Sequence, residues 1–363
     1  MVTLAIFTTA TFFYLSTIRN ANQSKSKFIS NSLSSINHVL FPGNIWTTNW
    51  ANNTVVEFSP SGTKIGIFKV GQYPGAIAID SSGNVWVANA GSDTVSKLSP
   101  SGTKIGTYNV GMIPLAIAID SSGNVWVADV ADGTIFELNP SGKMIKVYNL
   151  GGYFGGIAID SSGNVWITNS GKIINNSSNG SSYTGPLIIV KGDKITKINP
   201  STSTIRTYKV GIQPMGIAIS SSGNIWVVNS GSNNVTELNS SGKLIGTYAV
   251  GSHPLAIAID ASGNVWVANS GSNIVTELNS SGATIGTYKV GIHPVGFVVK
   301  PSGYIWVLCH KNSRNRTITI LNSSGMTIGR KNFDYLGGYA IDSSGNKGPQ
   351  YFPYSGPQWP YTY

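Results

Sequence analysis

The stretch AIAIDSSGNVWVAN, residues 76–89, recurs along the chain and decides its fold. Three close copies and two looser ones begin further along the chain, at Ala116, Gly156, Ala256, Gly216 and Gly296. The tryptophan of the stretch marks the period, which is 40 residues except for one interval of 60: Trp46, Trp86, Trp126, Trp166, Trp226, Trp266 and Trp306. A fixed period of this length is typical of architectures that repeat one supersecondary unit.

Each repeat predicts four antiparallel strands, which we call a, b, c and d. Along strands a and b, β-branched residues alternate with other residues, and the turn DSSGN, residues 80–84, joins the two strands. Asp bonds the amides ahead of it, and Gly adopts the positive φ that closes such a turn. Strands c and d follow at residues 94–99 and 104–110. Four alternating strands in about 40 residues are typical of one blade of a β-propeller.

The number of strands predicts an all-β, seven-bladed propeller with four antiparallel strands per blade. The first strand b, which begins at Asn44, has no strand a before it. The last strand a, residues 338–342, has no strand b after it. We therefore expect residues 338–342 to join the three strands of residues 44–70 as one blade. This would close the ring without leaving a long exposed sheet edge.

The two ends of the chain differ from the repeats in composition. Residues 1–19 contain an uncharged apolar run that predicts a signal peptide or an N-terminal anchor. The many β-branched residues of this run leave open a strand exchanged with another subunit. Residues 20–37 are expected to be a polar linker and residues 38–345 the propeller. Residues 346–363 are rich in proline and aromatic residues, and we expect this tail to pack against a protein surface.

Charged residues make up only 10% of the chain, so Ser, Asn, Thr and Gly supply most of its polarity. With the apolar N-terminal run, this composition predicts an extracellular or cell-surface protein. The net charge of +10 is scattered, which argues against nucleic-acid binding. Membrane contact is expected only through the N-terminal segment. The candidate N-glycosylation sites are Asn52, Asn175, Asn179, Asn234, Asn239, Asn279, Asn315 and Asn322.

Variation between the repeats is concentrated in the b–c and d–a loops. Both kinds of loop lie at one end of the predicted propeller, which we call the loop face, and loops on a rigid scaffold commonly carry function. A 20-residue excess falls in one b–c loop, at about residues 171–190. Another b–c loop is basic and contains Lys311, Arg314 and Arg316. The d–a loops predict a binding face around the central channel, formed by Tyr73, Tyr153, Phe154, Gln213, His253, His293 and Tyr335.

Sequence motifs for cofactors and metals are missing from the chain. The single cysteine, Cys309, excludes an intramolecular disulfide and a cysteine-based metal cluster, and predicts a buried inert thiol. No phosphate loop, G-x-S-x-G or H-E-x-x-H sequence occurs. The DSSGN turns lack the alternating acids and the distal Glu of an EF-hand. The motifs therefore predict no cofactor and no metal site.

The repeats resemble NHL-type repeats and, more closely, the virginiamycin B lyase-like propellers, through the pattern D-x-x-G-N-V-W of residues 80–86 and its copies. The resemblance implies a propeller fold. For the lyase it also implies elimination that opens a macrocyclic ester, with a His base, an acidic residue and a divalent cation. On this resemblance His253 and His293, in d–a loops, are the candidate catalytic residues. Asn269 and Cys309 stand where the acidic residue would follow the strand-b tryptophan.

Three functions remain open at this stage. The first is a structural or recognition module that assembles with itself into a homopolymer or filament through its termini. The second is a metal-dependent lyase or hydrolase, for which a divalent cation would be the cofactor. The third is a glycan-binding propeller that uses the aromatic residues of its d–a loops. The missing catalytic motifs favour a non-enzymatic role, with the protein itself, or surface glycans and proteins, as partners.

Overall fold

A computed structural model describes residues 44–59, 63–130, 133–175, 187–299, 303–310, 315–334 and 339–341. These residues form seven four-stranded antiparallel sheets and contain no helix. In each sheet the strands are adjacent in the order a, b, c, d. The predicted seven-bladed, all-β propeller is therefore confirmed.

The blades are numbered from the N-terminus, and each contains one strand of each kind. Blade 1 consists of β28 (Tyr339–Ile341), β1 (Ile45–Asn49), β2 (Thr54–Phe58) and β3 (Lys64–Lys69). Blades 2 and 3 consist of β4 (Pro74–Ile79), β5 (Val85–Asn89), β6 (Thr94–Leu98), β7 (Lys104–Asn109), β8 (Pro114–Ile119), β9 (Val125–Asp129), β10 (Thr134–Leu138) and β11 (Met144–Asn149). Blades 4 and 5 consist of β12 (Tyr153–Ile159), β13 (Val165–Asn175), β14 (Leu187–Asn199), β15 (Thr204–Lys209), β16 (Pro214–Ile219), β17 (Ile225–Asn229), β18 (Asn234–Leu238) and β19 (Leu244–Ala249). Blades 6 and 7 consist of β20 (Pro254–Ile259), β21 (Val265–Asn269), β22 (Ile274–Leu278), β23 (Thr284–Lys289), β24 (Pro294–Val299), β25 (Ile305–His310), β26 (Asn315–Leu321) and β27 (Thr327–Asp334).

Blade 1 is built from both ends of the propeller sequence. Its strand a, β28, pairs antiparallel with β1, and Ile341 lies opposite Ile45 while Tyr339 lies opposite Thr47. The other three strands come from the N-terminal side of the propeller. The predicted closure of the ring by the last strand a is therefore confirmed.

Burial changes from the centre of the propeller to its rim. Strand a of blade 2, β4, is buried along its whole length, whereas strand d, β7, is largely exposed. The strand-b tryptophans are core residues, as in blade 2, where Trp86 is fully buried. The indole nitrogen of Trp86 donates to Asp80 Oδ2 at 3.0 Å, and its ring stacks on Tyr108 with centroids 5.7 Å apart. The DSSGN turn thus fixes the tryptophan as well as the hairpin.

Each blade packs on the next through the face of its sheet that carries the tryptophan, which we call the tryptophan face. A Cβ placed on Gly102, in the c–d turn of blade 2, would overlap the ring of Phe68 from blade 1. Lys97 of blade 2 donates to the carbonyl oxygen of Pro140 in blade 3 at 2.8 Å. Glycine in the c–d turn is therefore required both for its positive φ of 80° and for the close approach of the preceding blade.

The described part of the insertion in blade 4 is strand and not the loop that the sequence predicted. Strands β13 and β14 are 11 and 13 residues long, whereas strands b and c of blade 2 have five residues each. Their pairing continues to Asn175 opposite Leu187. The inserted residues 171–175 and 187–190 therefore lengthen a hairpin. Two short apolar runs, Ile173-Ile174 and residues 187–190 (LIIV), were the sequence signal for this extension.

The predicted N-terminal segment, linker and tail concern the two ends of the chain. The apolar run at residues 2–18, the polar linker and the tail at residues 346–363 all lie outside the described residues. Within the described residues, no helix is long and apolar enough to cross a membrane.

Candidate binding face

Four of the predicted d–a loop residues adopt the same left-handed backbone conformation. Their φ angles are positive: 48° at Tyr73, 56° at Gln213, 47° at His253 and 48° at His293. Each is followed by the proline that begins strand a. Since strands a of neighbouring blades contact one another, these residues lie at the loop-face end of the innermost strands.

Asparagine side chains of the adjacent b–c loops hold three of these four d–a loops. The amide of His293 donates to Asn273 Oδ1 at 2.8 Å, and the amide of His253 donates to Asn233 Oδ1 at 2.8 Å. The amide of Tyr73 likewise donates to Asn53 Oδ1 at 3.0 Å. Asparagine suits this role because it tolerates the left-handed region and bonds nearby backbone with its side chain. Sequence analysis missed these positioning residues, although an Asn stands 20 positions before each Tyr or His.

The backbone of these loops is strained. A residue that precedes proline is normally extended, and a left-handed residue other than glycine costs about 1–3 kcal/mol. The strain persists because both the amide and the carbonyl of the strained residue form hydrogen bonds. At His253, for example, the carbonyl oxygen accepts from the amide of Ser270 at 3.0 Å. Ile113, at the same position in blade 3, is not left-handed, as expected for a β-branched side chain.

The two histidines are held differently. His293 Nδ1 lies 3.2 Å from the carbonyl oxygen of Ser270, which can only accept a hydrogen bond. This contact favours the tautomer with the proton on Nδ1, which leaves the lone pair on Nε2. His253 Nδ1 lies 2.9 Å from the hydroxyl of Ser252, which can donate or accept. No carboxylate of the described residues forms an ion pair with either ring.

The remaining predicted binding residues differ in their placement. Tyr153 is half-buried and begins β12, so it lies at the loop face. Phe154 is not in a d–a loop: it is the second residue of β12 and only 3% exposed, because blade 4 has Phe where most blades begin strand a with Pro. Tyr335 lies outside the described residues. Around these positions Met112, Ile212 and Ile292 are about half exposed.

The basic loop of blade 7 is partly a strand. Arg316 lies in β26 opposite His310 and is 2% exposed, so the prediction that places it in a b–c loop was wrong. Lys311 and Arg314 lie outside the described residues. Burial lowers the pKa of Arg316 to about 10, which leaves it charged at neutral pH. The strands of blade 7 are longer than those of blade 6, and this extension carries Arg316 into the interior.

The single cysteine has no role at the loop face. Cys309 is free and buried, and burial raises the pKa of its thiol to about 12. The thiol is therefore inert at neutral pH, as the sequence predicted. Among the described residues, no group of three or more His, Cys, Asp and Glu side chains is placed to hold a metal ion.

Several candidate glycosylation residues have structural roles in turns. Asn279 Oδ1 accepts bonds from the amides of Ser281 and Ala283, and the corresponding bonds recur at Asn239 and Asn322. Asn52 is exposed, Asn234 begins β18, and the backbones of Asn175 and Asn315 lie in strands. Asn179 lies outside the described residues. Turn closure thus accounts for three of the eight sequons without invoking glycans.

Comparison with known proteins identifies the fold. No protein-family model and no curated protein matches the sequence. Virginiamycin B lyase from Staphylococcus aureus is similar in structure, with a TM-score of 0.61, 20% identity, and coverage of 75% of this chain and 92% of the lyase. A functionally unknown protein from Desulfotomaculum acetoxidans gives a TM-score of 0.67 at 13% identity, covering 82% and 98% of the two chains.

A third similar structure belongs to a protein with a different activity. Hydrazine synthase from Kuenenia stuttgartiensis gives a TM-score of 0.61 at 15% identity, covering 83% of this chain and 100% of that one. A lyase, a synthase and a protein of unknown function thus share this architecture. At such low identity the likeness shows the propeller fold alone.

Proposed function

We propose that this chain is a secreted or cell-surface recognition propeller that binds its ligand at the loop face. The proposal rests on one observation: the d–a loops share a strained backbone conformation, whereas the side chains at the strained position differ from blade to blade. Tyr73, Gln213, His253 and His293 share one left-handed conformation but differ in chemistry. Strain of this kind is found where function requires a side chain at a fixed position. The repeats supply the scaffold, and these four positions supply the specificity.

The chemistry of the face suits a surface glycan. Tyr73 presents an exposed ring that lies 6.3 Å from the ring of Trp50, so an aromatic surface is available for stacking against a sugar face. Gln213, at the start of blade 5, and His253, at the start of blade 6, supply hydrogen-bonding groups elsewhere on the same face. A protein loop with polar and apolar groups would be recognised by the same combination, and is the alternative partner.

Glycine at the strained positions is expected to stabilise the fold while weakening binding. Gln213→Gly and His253→Gly should each raise the free energy of unfolding by about 0.5–1 kcal/mol, because glycine adopts a positive φ without strain. Both variants should lose signal on a glycan array that the parent protein binds. Urea denaturation and the array are the two measurements.

Ile113→Gly is the matched control for these variants. Ile113 occupies the same loop position without a positive φ, so glycine there should destabilise the fold. A parent protein that binds no glycan and no surface protein would contradict the proposed function. Variants that are stabilised but bind as well as the parent would show that the strain serves another purpose.

We further propose that the chain assembles with itself. Strand d lies at the rim of every blade, and all seven rims expose an apolar side chain that is 43–53% accessible: Ile65, Ile105, Ile145, Ile205, Ile245, Ile285 and Ile328. Rim strands also present an unpaired edge to solvent, which favours pairing with another chain. Light scattering and imaging of the native full-length chain should reveal oligomers or filaments. Monodisperse monomers at high concentration would contradict this part of the proposal.

A metal-dependent lyase or hydrolase is the second candidate function. It is supported by the structural likeness to a lyase and by His293, whose Nε2 carries the free lone pair that a general base needs. We place it second because Asn269 and Cys309 stand where an acidic partner would be expected, and both are buried. The described residues also supply no metal-holding group.

A further inference from the structure

Blade 7 departs from the other blades on its tryptophan face. Opposite residues on neighbouring strands share a face, and residues two apart share it too. Trp306 lies opposite Ile320, His310 lies opposite Arg316, and Lys331 lies opposite Ile318. All of these side chains therefore belong to one face. By the order of the ring, that face is directed at blade 1, at the point where the chain closes.

The face has lost the acidic groups that the repeat normally supplies. In blade 6 the carboxylates of Asp260 and Glu277 lie beside Trp266 and Tyr288, and Asp260 accepts the indole proton at 2.9 Å. In blade 7 the position of Asp260 is Lys300 in the sequence, and the position of Glu277 is Ile320. Two negative groups have thus been removed from this blade.

The same face has gained positive groups. Lys331 takes the strand-d position that Tyr288 occupies in blade 6, as the register of the two blades shows. Arg316 is added where the strands are longer. Burial lowers the pKa of Lys331. The pKa of His310 is lowered well below its ordinary value, mainly by burial and to a smaller extent by the nearby charge of Arg316. His310 is therefore neutral at pH 7, whereas Arg316 keeps its charge.

Arg316 is a buried cation for which the described chain provides no counter-charge. It is 98% buried, since only 2% is exposed, and its Nε has no hydrogen-bond partner. Neither of the two ion pairs of the described residues includes it. An isolated buried charge is strongly unfavourable, so a buried guanidinium is normally paired with a carboxylate or another oxyanion.

The neighbouring blade does not supply that counter-charge from its described strands. The face of blade 1 that meets blade 7 carries Ile45, Thr47 and Asn49 on β1, and Thr54, Val56 and Phe58 on β2. None of these is acidic. Glu57 of β2 lies opposite Trp46 and so belongs to the other face of blade 1. Outside the strands of blade 1, the acids nearest to this junction along the chain are Asp334 and Asp342, because residues 1–43 and 343–363 contain neither Asp nor Glu.

We propose that the junction of blades 7 and 1 is a binding site for a small oxyanion, held by the guanidinium of Arg316 with Lys331 and the neutral ring of His310. The planar guanidinium presents paired donors that match a phosphate, sulfate or carboxylate group. Lys331 adds a second positive charge, and His310 adds a hydrogen bond. Because the site lies where the ring closes, bound anion stabilises the closure. The site adjoins the d–a loop of blade 7, because the amide of His310 donates to the carbonyl oxygen of His293 at 3.0 Å.

Titration of the full-length chain with inorganic phosphate, followed by calorimetry and by thermal unfolding, tests this site. We expect one phosphate per chain and a rise in melting temperature with phosphate concentration. Arg316→Gln should weaken binding by about 10- to 100-fold, the range for loss of a charged hydrogen bond. Arg330→Gln is the matched control, because Arg330 is exposed on the other face of the same hairpin and should bind as the parent does.

A second variant covers the case in which Arg316→Gln does not fold. Lys331→Tyr restores the residue that blades 2 to 6 carry at this position, so it should fold while losing most phosphate binding. Equal binding by the parent and both variants would overturn the proposal. So would a parent that does not bind phosphate while Asp334→Asn or Asp342→Asn does, because that result would identify an internal carboxylate as the partner of Arg316.

Discussion

Replacing Trp86 by alanine is expected to lower the free energy of unfolding by about 3–5 kcal/mol. Trp86 is fully buried at the junction of two blades, so its removal leaves a large cavity. It also ends the 3.0 Å bond to Asp80 and the stacking on Tyr108, and it removes the ring above which Lys97 Nζ lies at 4.7 Å. Urea denaturation followed by circular dichroism would measure the loss.

Blade 5 offers a matched comparison for the polar part of this effect. There Ser220 replaces the aspartate, so Trp226 is buried and stacked on Tyr248 without the bond to a carboxylate. Trp226→Ala should therefore cost less than Trp86→Ala, by about 1 kcal/mol for the missing hydrogen bond. Equal losses in the two blades would show that the aspartate contributes nothing through the tryptophan. A loss below about 1 kcal/mol at Trp86 would contradict its assignment to the core.

The fold could be predicted from the sequence because the repeat expresses it several times over. Period-two alternation, the DSSGN turn and the tryptophan spacing each predict the same four-stranded unit, and the unpaired first strand b predicts how the ring closes. Agreement between local and global signals is what makes a sequence specify one structure. Where one signal acted alone, the prediction was weaker. The sequence predicts a loop after Gly171, where the structure has an extended hairpin, because no other repeat contains a copy of these strands.

The candidate sites were less predictable, for two physical reasons. The d–a loops were found through their variation, but the positive φ of His253 and His293 depends on bonds to Asn233 and Asn273, which are distant in sequence. Burial is likewise a property of the assembled ring. Arg316 belongs to a polar, charged segment, which normally indicates solvent, yet strand extension places it in the interior.

Removal of the closing strand is expected to be the other large perturbation. A chain that ends at Leu336 lacks β28, so β1 becomes an unpaired edge at the centre of the ring. Ile45, Trp46 and Thr47 are at most 5% exposed and would lose their partner strand. Two or three buried backbone groups without partners cost about 1–3 kcal/mol each, so the free energy of unfolding should fall by about 2–9 kcal/mol. Thermal unfolding of the truncated chain would measure this loss.

The control is a chain that ends at Ser343, which retains β28 and lacks only the tail. The difference between the two truncations isolates the closing strand from any contribution of residues 344–363. A synthetic peptide of residues 337–346, added to the shorter chain, should restore part of the stability, because the open edge of β1 can pair with it. If the two truncated chains unfolded at the same temperature, the ring would not depend on its closing strand. Blade 1 would then be stable with three strands, and the connection between the two ends would have to be explained by function instead.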